Sequence, residues 1–229
     1  DPIPTSKVYL QMSSHLVVAP NAPEGSNDAF VVSRLPKDLR RQQLINNAVR
    51  IFAAQGYHYT TMDHIANASN VSKPVLYQHF TGKRNLYLAA LDEEIKNMLE
   101  LVIAPLHQSE VNRERVEGVI SAFFTYARTN VAGYRLIFAS DIHNDFAVLE
   151  RIENLHTLIA EHIAGILAPN AGLPFKEAML TARMLAGMVL SSTQVVIGNG
   201  SSDEALAAAE RATFRLAWGG ISIIDEDWE

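Results

Sequence analysis

Apolar residues fall at Leu44, Ile45, Ala48, Ile51 and Phe52, spaced i, i+1, i+4, i+7 and i+8, so one hydrophobic stripe runs along a helix that starts near Pro36. Gly56 is its natural stop. A second, short helix is expected after an N-cap at Thr60 or Thr61, with Met62, Ile65 and Ala66 turned inward. Residues 67–71 read as a turn, and Ser72 is placed to cap a third helix whose first turn tolerates Pro74, because the missing N–H has no intrahelical partner there. Longer helical runs follow at 83 to about 104, about 111 to 130, 134–140, 144–167, 174–197 and 203–218, with breaks at Pro105, Gly133, Pro169, Gly172, Gly198, Gly200 and Gly219-Gly220. The pattern predicts an all-α protein of about nine helices, with no convincing strand and no internal repeat. Residues 1–33 mix Pro, Ser, Asn and Gly without a helical period and are expected to form a flexible arm.

Composition narrows the class. With 48% apolar and 19% charged residues, the chain has the balance of a globular protein. It contains no cysteine, which excludes disulfides, thiolate metal sites and cysteine nucleophiles. The longest apolar run, 179–197, is interrupted by Thr181, Arg183, Ser191, Ser192, Thr193 and Gln194, so it predicts a buried helix and no membrane span. No secretory signal pattern is visible, and a cytoplasmic protein is expected. Charge is strongly uneven: residues 34–91 carry eight Lys/Arg against two Asp/Glu, whereas residues 92–229 carry ten against twenty. A basic head on an acidic body fits a polyanion that meets the head alone.

The stretch TTMDHIANASNVSKPVLYQHFTGKRNLY, residues 60–87, places a short helix, a tight turn and a second short helix in direct succession, which is helix-turn-helix spacing. At about 100° per residue, Leu76 and Phe80 share the anchoring face of the third helix, while Pro74, Val75, Tyr77 and Gln78 lie to the sides or behind. A helix that reads double-stranded DNA needs this division, held by a small core on one side and inserted in the major groove on the other. Lys73, Tyr77, Lys83 and the Thr61 hydroxyl are candidate phosphate donors, joined by the open N–H groups that start the second helix. Gln78 suits an adenine edge, Ser72 several bases, and Pro74 and Val75 a thymine methyl. His79 reads as filling for the small core.

In order, FAAQGYHYTTM, the Ile65-Ala66 pair, VSKPVLYQHF, Lys83 and Leu86 make residues 40–87 similar to the DNA-binding domain of the TetR family of bacterial regulators. Pro74 departs from the pattern, at a position often held by glycine. The resemblance implies an all-α dimeric repressor in which helices 1–3 bind DNA, helix 4 links the domains, and the remaining helices enclose a ligand pocket. The expected organisation is an arm at 1–33, a helix-turn-helix domain at 34–82, and a ligand-binding and dimerisation domain at 83–229. GYRLIFASD at 133–141 and FRLAWGGIS at 214–222 further resemble actinobacterial regulators of fatty-acid synthesis within the family. That likeness implies a long-chain acyl-CoA effector and control of lipid genes.

Residues expected to contact a small apolar effector are Met98, Leu101, Val102, Phe123, Phe124, Ile137, Phe138, Met184 and Met188, with Arg128 and Arg135 facing the phosphates of a CoA head group. The same apolar residues would equally make an ordinary core, and each arginine an ion pair. Ala182, Ala186, Gly187, Ser191, Ala205, Ala207, Ala208, Ala209 and Ala212 permit close helix approach, and the family resemblance implies a homodimer through the eighth and ninth helices. No phosphate loop, HExxH helix or GxSxG elbow points to an enzyme. Asp141, His143 and Asp145 are read as a capped loop in preference to a metal site. A repressor of efflux or catabolic genes and a helical interaction module without DNA binding stand as alternatives.

Overall fold

Pro36 fixes the entry to α1 (Lys37–Tyr59), which buries Leu44, Ile45, Ala48, Val49 and Phe52, the stripe visible in the sequence with Val49 in place of the half-buried Ile51. The computed structural model describes residues 35–142, 144–198 and 202–224; the arm expected at 1–33, His143 and Gly200 lie outside them. Among the described residues the other helices are α2 (Met62–Ala68), α3 (Lys73–His79), α4 (Lys83–Ile103), α5 (Asn112–Thr129), α6 (Val131–Phe138), α7 (Phe146–Asn170), α8 (Phe175–Gly198) and α9 (Asp203–Ile221). A 3₁₀ turn at Ala104–His107 follows α4 where Pro105 interrupts it.

Four of the expected stops behave differently: α9 runs through Gly219-Gly220 to Ile221, and the other three depart for local reasons. Gly56 does not end α1 but kinks it, at φ 80°, and helical backbone resumes to Tyr59. Gly133 breaks nothing: α6 starts earlier because the Asn130 side-chain oxygen accepts the Gly133 N–H at 3.0 Å and caps the helix. Gly133 is required for another reason, since a Cβ there would run into the Glu94 carboxylate, the Tyr126 hydroxyl and the Asn130 amide. α7 continues through Pro169 to Asn170, and the Ala171 N–H closes it on the Leu167 carbonyl at 2.9 Å.

The main core joins α1, α4, α5, α6, α7 and α8 through fully buried side chains that include Leu86, Leu91, Met98 and Leu155. Burial of each such side chain contributes roughly 1.5–3 kcal/mol. α7 and α8 make the most extensive helix contact, and their alanines explain how: Ala160, Ala164, Ala178 and Ala182 are all at 0% exposure, which lets the two backbones approach. α8 meets the length and apolarity of a membrane span. In the fold it lies against α5, α7 and α9 on one side only, where Ala178, Ala182, Val189 and Thr193 are buried; Leu180, Met184 and Val195 are exposed, so the helix is not the buried one expected from the sequence.

Candidate nucleic-acid interface and effector cavity

The reading head is assembled around the turn between α2 and α3. Thr61 caps α2, its hydroxyl oxygen accepting the His64 N–H at 3.2 Å. Asn70 takes the left-handed conformation at φ 52° in the turn, one that asparagine tolerates better than most residues. Asn47 on α1 donates to the Ser69 hydroxyl at 3.1 Å and so ties the turn to the first helix. Leu76 at 0% and Phe80 at 1% exposure hold α3 from behind, and the Arg41 guanidinium lies 4.9 Å from the centre of the Phe80 ring.

The opposite face of α3 is open. Ser72, Lys73, Pro74, Tyr77 and Gln78 are exposed and Val75 is half-buried. Ser72 stands at the N-cap position but makes no capping bond. Lys73 Nζ pairs with Asp63 at 3.0 Å across the α2–α3 turn, and that partner holds its ammonium above the usual lysine range. Lys83 has a second task besides the expected phosphate contact. Its Nζ donates to the Tyr57 carbonyl at 2.8 Å and sits 4.3 Å from the Tyr57 ring centre, so it fixes the end of α1. His79 is half-buried behind α3, with Nδ1 buried and without a partner among the described residues. Burial, then the cations Lys37, Arg41 and Arg40, hold its imidazole below the ordinary histidine range. These three cations bring the basic start of α1 to the end of α3; their charge was counted in the sequence, but their position beside α3 was not legible there.

Two aspartates in the α6–α7 loop staple the head to the body. Asp141 accepts the Tyr57 N–H at 2.7 Å and the His58 N–H at 3.2 Å, directly after the Gly56 kink. Burial opposes ionisation of its carboxyl, yet the two backbone donors prevail and leave it below the usual carboxylate range. Asp145 caps α7 through the Ala147 N–H at 2.9 Å and receives Arg84 at the start of α4 in a two-pronged pair at 2.7 and 2.8 Å. Behind them Tyr87 meets Phe52 and Tyr57 edge to face, at 5.0 and 5.2 Å between ring centres. Burial pushes the Tyr87 hydroxyl up to about 12 while it shares a hydrogen bond with Ser140.

The body contains a largely apolar cavity of about 180 Å³. Val116, Val119 and Ile120 of α5, Ile159, Ile163 and Ile166 of α7, and Leu185, Val189 and Leu190 of α8 make most of its wall, closed by Ala217 and Ile221 of α9. Of the residues expected from sequence, Val102, Phe123 and Phe138 line it. The others lie elsewhere. Met98, Phe124 and Ile137 are buried in the core, and Met188 packs half-buried against it. Leu101 at 43% and Met184 at 67% exposure face outward. Arg128 and Arg135 are exposed and outside this wall; Arg135 borders a separate recess beside Tyr87 and Asp141. The lining arginines are instead Arg115 and Arg183. Large, flexible side chains drew attention in the sequence, whereas the wall is built from β-branched aliphatics at helical spacing, a signal present at 116, 119, 120, 159, 163 and 166.

Residues 44–90 match the family model described as bacterial regulatory proteins, tetR family. The chain belongs to the TetR family of helix-turn-helix transcriptional regulators and, as such, is a DNA-binding regulator. Within that family it is similar to the HTH-type transcriptional activator FasR of Mycolicibacterium smegmatis, with 34% identity over 190 residues that cover 83% of this chain and 86% of the relative. A TetR-like regulator from Rhodococcus sp. RHA1 superposes with a TM-score of 0.67 at 25% identity, covering 83% of this chain and 100% of that one. FadR from Bacillus subtilis, solved in complex with stearoyl-CoA, has the same fold at a TM-score of 0.68 and 18% identity, covering 78% and 98%.

Proposed function

We propose that this regulator binds a pseudo-palindromic operator as a homodimer and is controlled by a long-chain acyl-CoA whose acyl chain occupies the cavity, so that fatty-acid or lipid synthesis genes respond to their product. The reading head would comprise residues 34–82 and the effector-binding and dimerising body residues 83–229. Thr61, Lys73, Tyr77 and Lys83 would hold phosphates, and Ser72, Pro74, Val75 and Gln78 would read base edges. Lys37, Arg40 and Arg41 add charge beside them. The protein would act in the cytoplasm, where chromosomal DNA is found. The observation that carries the effector reading is the cavity, walled by aliphatic side chains from four helices of the acidic body. The likeness to FasR supports it, as does the stearoyl-CoA held by the similarly folded FadR.

The dimer reading rests on two exposed stripes. Leu180, Met184, Gly187, Ser191 and Val195 recur every three or four residues on the open side of α8, with Leu180 at 64%, Met184 at 67% and Val195 at 63% exposure. Ala205, Ala208, Ala212, Leu216 and Gly219 do the same on α9. Apolar and small, these faces suit close packing against a symmetry mate, which would set the two α3 helices about 34–36 Å apart on successive major grooves. Met184→Arg combined with Leu216→Arg is expected to give a monomer by light scattering, and an unchanged dimer would refute this assignment.

An effector wedged between α5, α7 and α8 would move α4 and alter the spacing of the two heads. It needs only to favour one spacing, and each tenfold difference in its affinity changes operator binding by about 1.4 kcal/mol. The test is operator affinity by fluorescence anisotropy at two salt concentrations, with and without palmitoyl-CoA or oleoyl-CoA. Affinity is expected to fall with salt and to change at least tenfold with acyl-CoA. Unchanged affinity in the presence of both thioesters would refute the effector. The FasR of M. smegmatis is named an activator, so run-off transcription on the bound promoter is the measurement that assigns the sense of control.

A further inference from the structure

Four polar side chains stand in the otherwise apolar cavity wall: Asn112, Arg115, His156 and Arg183. Three of them are engaged by the fold. Arg115 donates from Nε to the Ser109 carbonyl at 2.6 Å, and from its terminal nitrogens to Asn112 at 3.0 Å and Glu110 at 3.4 Å, so it organises the start of α5. Asn112 accepts that bond and donates to Asn170 at 3.3 Å. Arg183 pairs with Glu153 at 2.7 Å, with 39% of its side chain exposed, at the seam of α7 and α8. His156 differs: its Nε2 is buried and has no hydrogen-bond partner among the described residues.

A buried polar nitrogen without a partner is costly, and a cavity is where such a cost is recovered by a ligand atom. Burial, more than the neighbouring charges of Glu153 and Arg183, keeps the imidazole below the ordinary histidine range, so it is neutral near pH 7. A neutral ring suits an uncharged oxygen; an ionised carboxylate gains less there, because the two arginines of the wall already hold Glu110 and Glu153. On one side of His156 the wall continues through Ile159, Ile163 and Ile166, three apolar residues on the same face of α7. On the other side the Arg183 guanidinium reaches solvent.

We propose that His156 reads the carbonyl oxygen of the effector: its ring turns into the cavity, baring Nε2–H to donate to an ester or thioester C=O while the aliphatic chain lies along the α7 isoleucines. His156 is thus assigned to specificity within the same cavity, and the assignment rests on the acyl-ligand reading above. It selects thioesters over two near relatives: the free fatty acid, whose carboxylate is charged, and the chain-matched alkyl thioether, which has no carbonyl.

Isothermal titration of the full-length protein with palmitoyl-CoA, its hexadecyl thioether analogue and palmitate distinguishes the outcomes. Wild type is expected to prefer the thioester to the thioether by about threefold to tenfold, the range of one neutral hydrogen bond. His156→Phe should bind the two equally, and His156→Gln, which keeps an N–H donor, should retain part of the preference. Melting curves of both variants confirm folding. A preference of the same size in His156→Phe, or no preference in wild type, overturns the role of His156 while leaving the acyl cavity standing. Absence of binding by all three ligands to wild type overturns the acyl reading itself, and the proposal with it.

Discussion

Replacement of Asp141 by Asn tests the coupling of head and body directly. The carboxylate accepts two backbone N–H groups, from Tyr57 at 2.7 Å and His58 at 3.2 Å. A hydrogen bond to a charged group contributes about 1.5–3 kcal/mol where it is sheltered. Both bonds here lie at the surface, and Asn keeps one acceptor, so solvent screening and the retained bond reduce the expected loss to about 1–2 kcal/mol. The sign of the pH dependence follows from the shift. Because the folded carboxyl titrates below its ordinary value of 3.8, the stabilisation is fully present above that pH and fades as the pH falls through the folded value. Urea denaturation of wild type and Asp141→Asn at pH 7 and at successive pH values below 3.8 should show the full difference at pH 7 and a shrinking one as the carboxyl is protonated. Equal stability at pH 7, or a loss that does not change with pH, would refute the argument that an ionised Asp141 fastens the end of α1.

Three further perturbations address other parts of the molecule. Leu76→Ala removes a fully buried anchor of α3 and is expected to cost about 2–5 kcal/mol in urea unfolding and to abolish operator binding in a gel shift. Gly133→Ala forces a methyl against the Glu94, Tyr126 and Asn130 side chains, and a destabilisation of about 1–3 kcal/mol is expected from thermal melts. Lys73→Ala should leave the melting temperature unchanged and lower the slope of log affinity against log salt by about one for each α3 placed on DNA, as read by fluorescence anisotropy.

The reading head was legible in the sequence almost residue by residue, because helix, turn and helix each carry a local signature: the Thr61 cap, the inward Ile65-Ala66 pair, and Leu76 with Phe80 one turn apart. The body was legible only as helices. Where a cavity opens depends on which faces of α5, α7 and α8 are brought together, and periodicity reports that a face is apolar without reporting what it meets. Phe124 and Val119 are both apolar residues of one helix; the fold sends one to the core and the other to the cavity. The staples were invisible for the same reason. Asp141 and Asp145 looked like loop and cap residues, and Asp145 is a cap, but their partners Tyr57, His58 and Arg84 lie some sixty or more positions away, as their separations of 84, 83 and 61 residues record.

Asp145 has a mechanical consequence. The Asp145 carboxylate caps the first turn of α7 through Oδ1 and grips Arg84 at the first turn of α4 with both oxygens, so the two helix ends cannot be displaced independently without breaking a charged contact. The α7 isoleucines form a wall of the chamber that an effector would fill, while the opening of α4 lies next to the DNA-reading unit. Pressure on the middle of α7 would therefore be carried along the helix to a contact fastened to the part of the chain that must shift if the two reading heads are to change their spacing.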